Sequence, residues 1–315
     1  MDNSLQATTA VVFPGMGPTS FADVGRFMLV NPYARELVAE ADEVLGYPLV
    51  ERYREASGNY SEYAQVAFMV NSVALARWAE ANLGMTAGVC AGPSFGGKAA
   101  MAYSGALSFA DAVRLTAGMA RALDEYFAVE HRDVVTHSFI RTPEDRLREI
   151  LAELDEAGEW HEVACVLDEG FQMMSLHRGR SEWLENRLRA VGGLPLFTMH
   201  PPLHASVFGA LRDRIESELL GGLTFADPRL PVVADQDGTV RTTGEGVRRM
   251  LLDGVVQPVR WPEVVASLQR LGVGTMYVCG QDSLFGRVGV TTRNFELHRV
   301  DVRTAMQPRR RTVNV

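Results

Sequence analysis

An α/β fold in which a smaller subdomain interrupts a larger one is what this sequence predicts, on three observations. An apolar run, Val89-Cys90-Ala91, enters the turn Gly92-Pro93-Ser94-Phe95-Gly96, and a small-residue helical segment, Lys98 to Tyr103, leaves it. That is a strand–turn–helix unit. Strand-like apolar runs alternate with amphipathic helical patterns before residue 128 and after residue 198, the order expected of an α/β protein. Between those positions the composition changes, with strand-like runs at Val134–Ile140, Glu162–Leu167 and Met173–Leu176 among charged helices at 143–157 and 181–190. This pattern predicts a compact β-α-β-β-α-β insert.

The 315 residues, 47% hydrophobic and 22% charged, suffice for one large domain carrying an insert or for two domains. A net charge of −8 argues against a nucleic-acid partner. No run reaches the roughly 18 apolar residues of a membrane span, and the start, MDNSLQATTA, has neither a basic nor an apolar signal region. Cys90, Cys165 and Cys279 stand singly in apolar runs, as buried thiols of a reducing cytoplasm would, and no Cys/His spacing suits a metal.

In order, Ala10–Phe13 reads as a buried strand ending in the rigid turn Pro14-Gly15-Met16-Gly17-Pro18. Residues 31–46 read as a helix with Pro32 in its first turn and Gly46 as its stop. Helices follow at 60–82 and 109–126, the first carrying Gln65 on an apolar face, where its amide needs a partner or a role. After the insert come helix 203–220, strand 230–234, helices 245–252 and 262–271, and strand 274–279.

The Gly92–Gly96 turn matches G-x-S-x-G, which holds a serine hydroxyl out at a strand end. The amide of Phe95 then points to where an oxyanion forms, and the amide of Met16 is a second candidate donor. Serine needs a general base, and histidine is the usual one. His131, His137, His161 and His177 lie among charged residues of the insert, which leaves His200, His204 and His298. His200 stands where the chain leaves the insert, a hinge that faces the interdomain cleft. The residues favour it, with His204 and His298 open.

Six stretches then coincide with a known family. Phe13-Pro14-Gly15-Met16-Gly17 resembles FPGQG, Ala64-Gln65-Val66-Ala67 resembles AQPA, and Gly92–Gly96 resembles GHSxG. Met199-His200-Pro201-Pro202-Leu203 resembles FHSPL, Pro258-Val259-Arg260-Trp261 matches PVRW, and Gly280–Leu284 is similar to GPGxxL. The chain thus resembles the malonyl-CoA:carrier-protein transacylases and polyketide-synthase acyltransferases. The resemblance implies an α/β-hydrolase-like large domain (1–127 and 199–300), a ferredoxin-like subdomain (128–198) and a C-terminal tail (301–315). It implies an acyl-Ser94 intermediate, His200 as base, an oxyanion hole of Met16 and Phe95, and the backbone carbonyl of Asp235 to orient the histidine. It also implies a cytoplasmic monomer with no bound cofactor or metal, acting on phosphopantetheine thioesters of donor and acceptor carrier proteins or of CoA.

The departures bear on the substrate. The stretch Phe109–Met119 resembles FxDAxRLVxLR, and Met119 stands where the family's carboxylate-gripping arginine falls. A buried malonyl carboxylate facing a thioether would be an unpaired charge. Pro93 replaces the histidine before the serine, Gly97 replaces the glutamate after the motif, and Met199 precedes His200. Gln65, Pro93, Met119 and Met199 are the expected pocket residues, and Arg141, Arg146, Arg178 and Arg180 the expected carrier-protein contacts. The expected function is a discrete acyltransferase that moves a non-carboxylated acyl group, such as an aminoacyl or dipeptidyl group, between carriers in polyketide or macrolactam assembly. The alternative is an acyl hydrolase that clears carriers.

Overall fold

A computed structural model of the chain describes residues 7–58 and 60–307. The large domain begins with β1 (Thr9–Val12), α1 (Phe21–Val30), α2 (Pro32–Leu45), α3 (Leu49–Glu55), α4 (Glu62–Leu83), β2 (Val89–Ala91), α5 (Gly96–Ser104) and α6 (Phe109–Val129). The small domain follows as β3 (Val134–Ile140), α7 (Glu144–Glu156), β4 (His161–Asp168), β5 (Phe171–His177), α8 (Ser181–Ala190) and β6 (Leu194–Met199). The chain returns through α9 (Gly209–Ile215), β7 (Val232–Val233), β8 (Val240–Arg241), α10 (Gly244–Val256), β9 (Val259–Arg260), α11 (Trp261–Arg270), β10 (Thr275–Cys279), α12 (Gly289–Thr292), β11 (Glu296–Val300) and α13 (Val302–Met306).

Local chemistry accounts for the element ends. The Asn31 side chain accepts from the amides of Tyr33 and Ala34 at 3.1 and 3.3 Å, Pro32 opens α2, and Gly46 closes it at φ 73°. α4 is buried almost all round, as a helix wedged between sheet and neighbouring helices must be.

The large sheet runs β11-β10-β1-β2-β7-β8, parallel except for β8 on β7. Its central strands are apolar on both faces, Ala10, Val11 and Val12 being fully buried, because helices cover both sides. The small sheet runs β6-β3-β5-β4 with antiparallel neighbours. With α7 after its first strand and α8 after its third, this is the ferredoxin-like order. The expected α/β fold with its inserted ferredoxin-like domain is the observed one.

The domain division is less clean than 128–198. β9, from the returning chain, pairs in parallel with β4, Cys165 opposite Val259 and Val166 opposite Arg260, so the large-domain segment extends the small sheet. Met199 is the last residue of β6, not the first of the large domain. The expected helix 203–220 is broken into a 3-10 turn at Ser206–Phe208, α9, and a π turn at Glu216–Leu220. Pro201 and Pro202 precede it and cannot continue a hydrogen-bonded ladder. Of the expected tail 301–315, residues 302–306 form α13, capped by the Asp301 side chain, and 308–315 lie outside the described residues.

Candidate active site

β2 delivers the chain into the turn, and α5 leaves it, with Ser94 between them at φ 53°. A non-glycine residue in that region is strained, and such strain is held only where the surroundings enforce it. Here a Cβ on Gly92 would stand 2.3 Å from the Gly96 carbonyl oxygen, and one on Gly96 would stand 1.9 Å from that of Phe13. Only glycine allows β1 and the turn this close. The Ser94 amide donates to the Asp235 carboxylate at 2.6 Å, which ties the elbow to the end of β7.

The histidine that the structure sets against the serine is His204, not His200. His204 Nε2 lies 2.8 Å from Ser94 Oγ, within reach for proton transfer. His200 is exposed and its Nδ1 donates to the Val134 carbonyl at 3.2 Å, which keeps it on the small domain. The difference follows from the chain path. β6 ends at Met199, so His200 still sits at a small-domain strand end. Four residues on, the His204 amide donates to the Val255 carbonyl at 3.0 Å in the large domain, and its ring drops toward the serine.

Burial holds the His204 imidazole well below the usual range, at about 4; the Gly254 carbonyl opposes this, the Lys98 ammonium adds to it, and the Gln257 carbonyl opposes it. The ring keeps part of its surface open to the pocket. With Nε2 toward Ser94, the proton belongs on Nδ1, which is enclosed and short of full hydrogen-bond geometry with any described group. The carbonyls of Gly254 and Gln257 lie near enough to favour a proton there. The expected orienting group, the Asp235 carbonyl, instead accepts from the Arg260 amide at 2.7 Å. Asp235 acts through its carboxylate on the Ser94 amide, and burial pushes that carboxyl up to about 6 against the pull of the amide.

Ser94 and His204 open onto a pocket between the domains, walled by Met16, Phe95, Met119 and Met250 of the large domain and by Thr136 and Met173 of the small one. Met16 and Phe95, expected as oxyanion donors, both line it. Gln65 lines it as well, its amide donating to the Tyr60 carbonyl at 2.8 Å. Met119 and Met199 line it too, whereas Pro93 does not. Pro93 lies behind the elbow, where its carbonyl accepts from the Gly96 amide at 3.0 Å.

No arginine is among the pocket residues, and one cation is. Lys98, in the first turn of α5, is 6% exposed, lines the pocket and stands 4.2 Å above the Phe95 ring. Sequence reasoning passed over it, whereas His204 was kept as a candidate base behind His200. Helical spacing marks Lys98 as a pocket candidate only once Ser94 is known to sit in the turn between β2 and α5.

The four expected carrier-binding arginines do not form one patch. Val134 pairs with His177 and Ile140 with Phe171, so Arg141 and Arg146 sit at one end of this ladder and Arg178 and Arg180 at the other, about 20 Å apart at 3.3 Å per strand residue. Arg146 is paired with Glu149 at 3.0 Å and Arg180 with Glu159 at 2.6 Å. Arg141 and Arg178 have no acidic partner among the described residues. His298 stacks on Tyr277 at 4.5 Å, on the far edge strands from the elbow. Among the described residues no group of three or more His, Cys, Asp or Glu is placed to hold a metal, and no helix is long and apolar enough to cross a membrane.

Comparison with known proteins agrees with this fold. Residues 138–199 match the family described as the VinK acyltransferase small domain. The malonyl CoA-acyl carrier protein transacylase of Escherichia coli is 28% identical over 292 residues, covering 90% of this chain and 92% of that protein. The Bacillus subtilis (strain 168) enzyme of the same name is 26% identical over 280 residues, covering 86% of each. Among solved structures, a type II polyketide malonyl-transacylase in complex with its acyl-carrier protein superposes with a TM-score of 0.83 at 24% identity, over 95% of this chain and 97% of that one. The chain is thus similar along most of its length to malonyl-CoA:carrier-protein transacylases, and its small domain matches that of a VinK-type acyltransferase.

Proposed function

We propose that this protein is an acyltransferase that carries a non-carboxylated acyl group from one carrier-protein thioester to another through acyl-Ser94. The observation that carries the reading is the 2.8 Å contact between Ser94 Oγ and His204 Nε2 at the floor of a pocket lined by Met119.

His204, neutral at pH 7 because it is buried, takes the Ser94 proton as Oγ attacks the thioester carbonyl. The amides of Phe95 and Met16, neither of which donates to another described group, receive the oxyanion. Collapse of the tetrahedral species breaks the carbon–sulfur bond, and His204 returns the proton to the leaving thiol. The acceptor thiol repeats the sequence in reverse, giving its proton to His204 as it attacks the ester. The Asp235 carboxylate holds the elbow without touching the base. A malonyl carboxylate at Met119 would be buried against a thioether, a cost of several kcal/mol; an apolar or amide-bearing chain incurs no such penalty. Thioethers adapt to irregular chains, and Met16, Met101, Met119, Met173, Met199 and Met250 all line the space. Exposed Arg141 and Arg178 are the uncommitted cations for an acidic carrier.

Intact-protein mass spectrometry tests the reading, with malonyl, fatty acyl and aminoacyl carrier thioesters offered in turn, a second unloaded carrier added afterwards, and Ser94→Ala as control. The expected result is a fatty acyl or aminoacyl adduct on Ser94 that moves to the second carrier. A malonyl adduct alone would overturn the argument from Met119, and an adduct lost to water regardless of the second carrier would make the protein a hydrolase.

A further inference from the structure

Lys98 is the only lysine in the sequence, every other Lys/Arg position being arginine. Its position is one that a folded chain has little reason to give an ammonium. It is 6% exposed; it has no carboxylate or hydrogen-bond acceptor among the described residues; and it sits in the first turn of α5, where the helix dipole disfavours a cation. The Phe95 ring at 4.2 Å is its one favourable contact, worth about 1–2 kcal/mol when desolvated. That falls short of the several kcal/mol that burying an ion costs. A methionine or leucine would fill the same space without the charge. The ammonium is four residues from Ser94 and close enough to His204 for its charge to disfavour the imidazolium.

We propose that Lys98 is the polar anchor of the acyl pocket, donating a hydrogen bond to a neutral carbonyl oxygen, of an amide or ketone, carried along the acyl chain being transferred. The inference rests on the acyl-transfer reading and names its substrate class more closely. Three features of the pocket favour a carbonyl over other groups. The walls are mostly apolar, with Gln65, Thr136 and Gln236 among the polar exceptions, and Lys98 is the one ammonium among them, so a single acceptor oxygen answers it. A protonated amine set directly against Lys98 would repel it. A carboxylate would find one partner here but no second donor of the kind that a bidentate arginine supplies. Burial lowers the Lys98 pKa to about 8, which leaves it mostly charged at pH 7 and able to donate.

The test compares three thioesters of equal chain length, one plain alkyl, one with an internal amide and one ending in a carboxylate, for their rate of loading Ser94 in wild type and in Lys98→Met. The amide chain is expected to load at least about tenfold faster than the alkyl chain in wild type, the worth of one buried hydrogen bond from a charged donor. That ratio is expected to fall to near one in Lys98→Met. A ratio near one in wild type, or one preserved in the variant, overturns the proposal. A measurement independent of turnover uses Ser94→Ala protein labelled with [ε-¹³C]lysine, which gives a single side-chain resonance, titrated with non-transferable thioether analogues of the three chains. The amide analogue is expected to shift the Lys98 resonance and the alkyl analogue to leave it in place. A response to the carboxylate analogue alone would overturn the neutral-carbonyl assignment. If no thioester loads Ser94, the acyl-transfer reading falls while this resonance still decides what Lys98 binds.

Discussion

At the scale of single residues, the two histidines four positions apart separate chemistry from architecture. Replacing His204 by alanine removes the group that takes the Ser94 proton, and acyl-Ser94 formation should slow by at least about 10³-fold. His200→Ala removes a hydrogen bond to the Val134 carbonyl and an edge contact with the Phe127 ring at 5.9 Å, and should load acyl groups within about threefold of wild type, a change of a few tenths of a kcal/mol. Single-turnover loading read by mass spectrometry checks both, and the opposite ranking would return the base to His200. Met119→Arg should raise malonyl loading relative to fatty acyl loading, because it supplies the bidentate donor that Lys98 alone does not give a free carboxylate.

Two buried groups beside Ser94 also set the response of stability to pH. His204 has a folded pKa lowered to about 4, so its contribution is present above the unfolded value near 6.5 and is lost as pH falls toward 4. Asp235 has a folded pKa raised to about 6, so it disfavours the fold above that value, and the penalty fades as pH falls toward 3.8. Over pH 6 to 4 the two oppose one another, each with an amplitude on the order of 2 kcal/mol. Asp235→Asn should therefore gain stability relative to wild type at pH 7 and lose that gain by pH 4. His204→Gln should gain relative to wild type as pH falls from 6.5 to 4. Denaturant titrations at several pH values decide this, and parallel curves for all three proteins would show that neither group is shifted.

At the scale of elements, the β2–Ser94–α5 unit works by close approach. Gly96 carries the turn past the Phe13 carbonyl with no room for a methyl group. Gly96→Ala must push β1 and the elbow apart, and overpacking of this kind costs about 1–3 kcal/mol or more. Loading of Ser94 should fall further than stability accounts for, since the displaced elbow also moves Oγ away from His204. A variant with wild-type loading would mean that the turn is not held by β1. β6 is the second decisive element. By ending at Met199 it leaves the next five residues to cross from one domain to the other, and that crossing rather than the motif spacing chooses which histidine meets the serine.

For the whole molecule, one apolar cluster joins the two domains. Ala10, Val12 and Val233 of the large sheet pack in the same core as Cys165, Leu167 and Met173 of the small sheet, with Trp261 between them. Trp261 is fully buried and its indole N–H donates to the Thr291 hydroxyl at 2.8 Å. Trp261→Ala should cost about 3–5 kcal/mol, and hydrogen exchange should show β3–β6 and the large sheet losing protection together. Loss confined to one domain would show that β9 does not couple them. A rigid junction of this kind is what keeps a pocket assembled from both domains at fixed geometry.

The sequence by itself determined the elements and the nucleophile, because both are written in local patterns. Helix 31–46 follows from Asn31, Pro32 and Gly46, the ferredoxin-like order from alternating strands and charged helices, and Ser94 from glycines spaced for one kind of turn. Met119 in the pocket was legible in the same way, from its register on a motif. What only the tertiary structure decided depends on how segments distant in sequence meet. His204 rather than His200 reaches Ser94 because two prolines carry the chain across the cleft first. The carbonyls of Gly254 and Gln257, not that of Asp235, meet the imidazole because α10 ends there. Pro93 turns away from the pocket while Lys98, unremarkable on a helical pattern, turns into it. Capping, turns and periodicity are properties of neighbours along the chain; desolvation and partnership are set by neighbours in space, and those fix which groups do the chemistry.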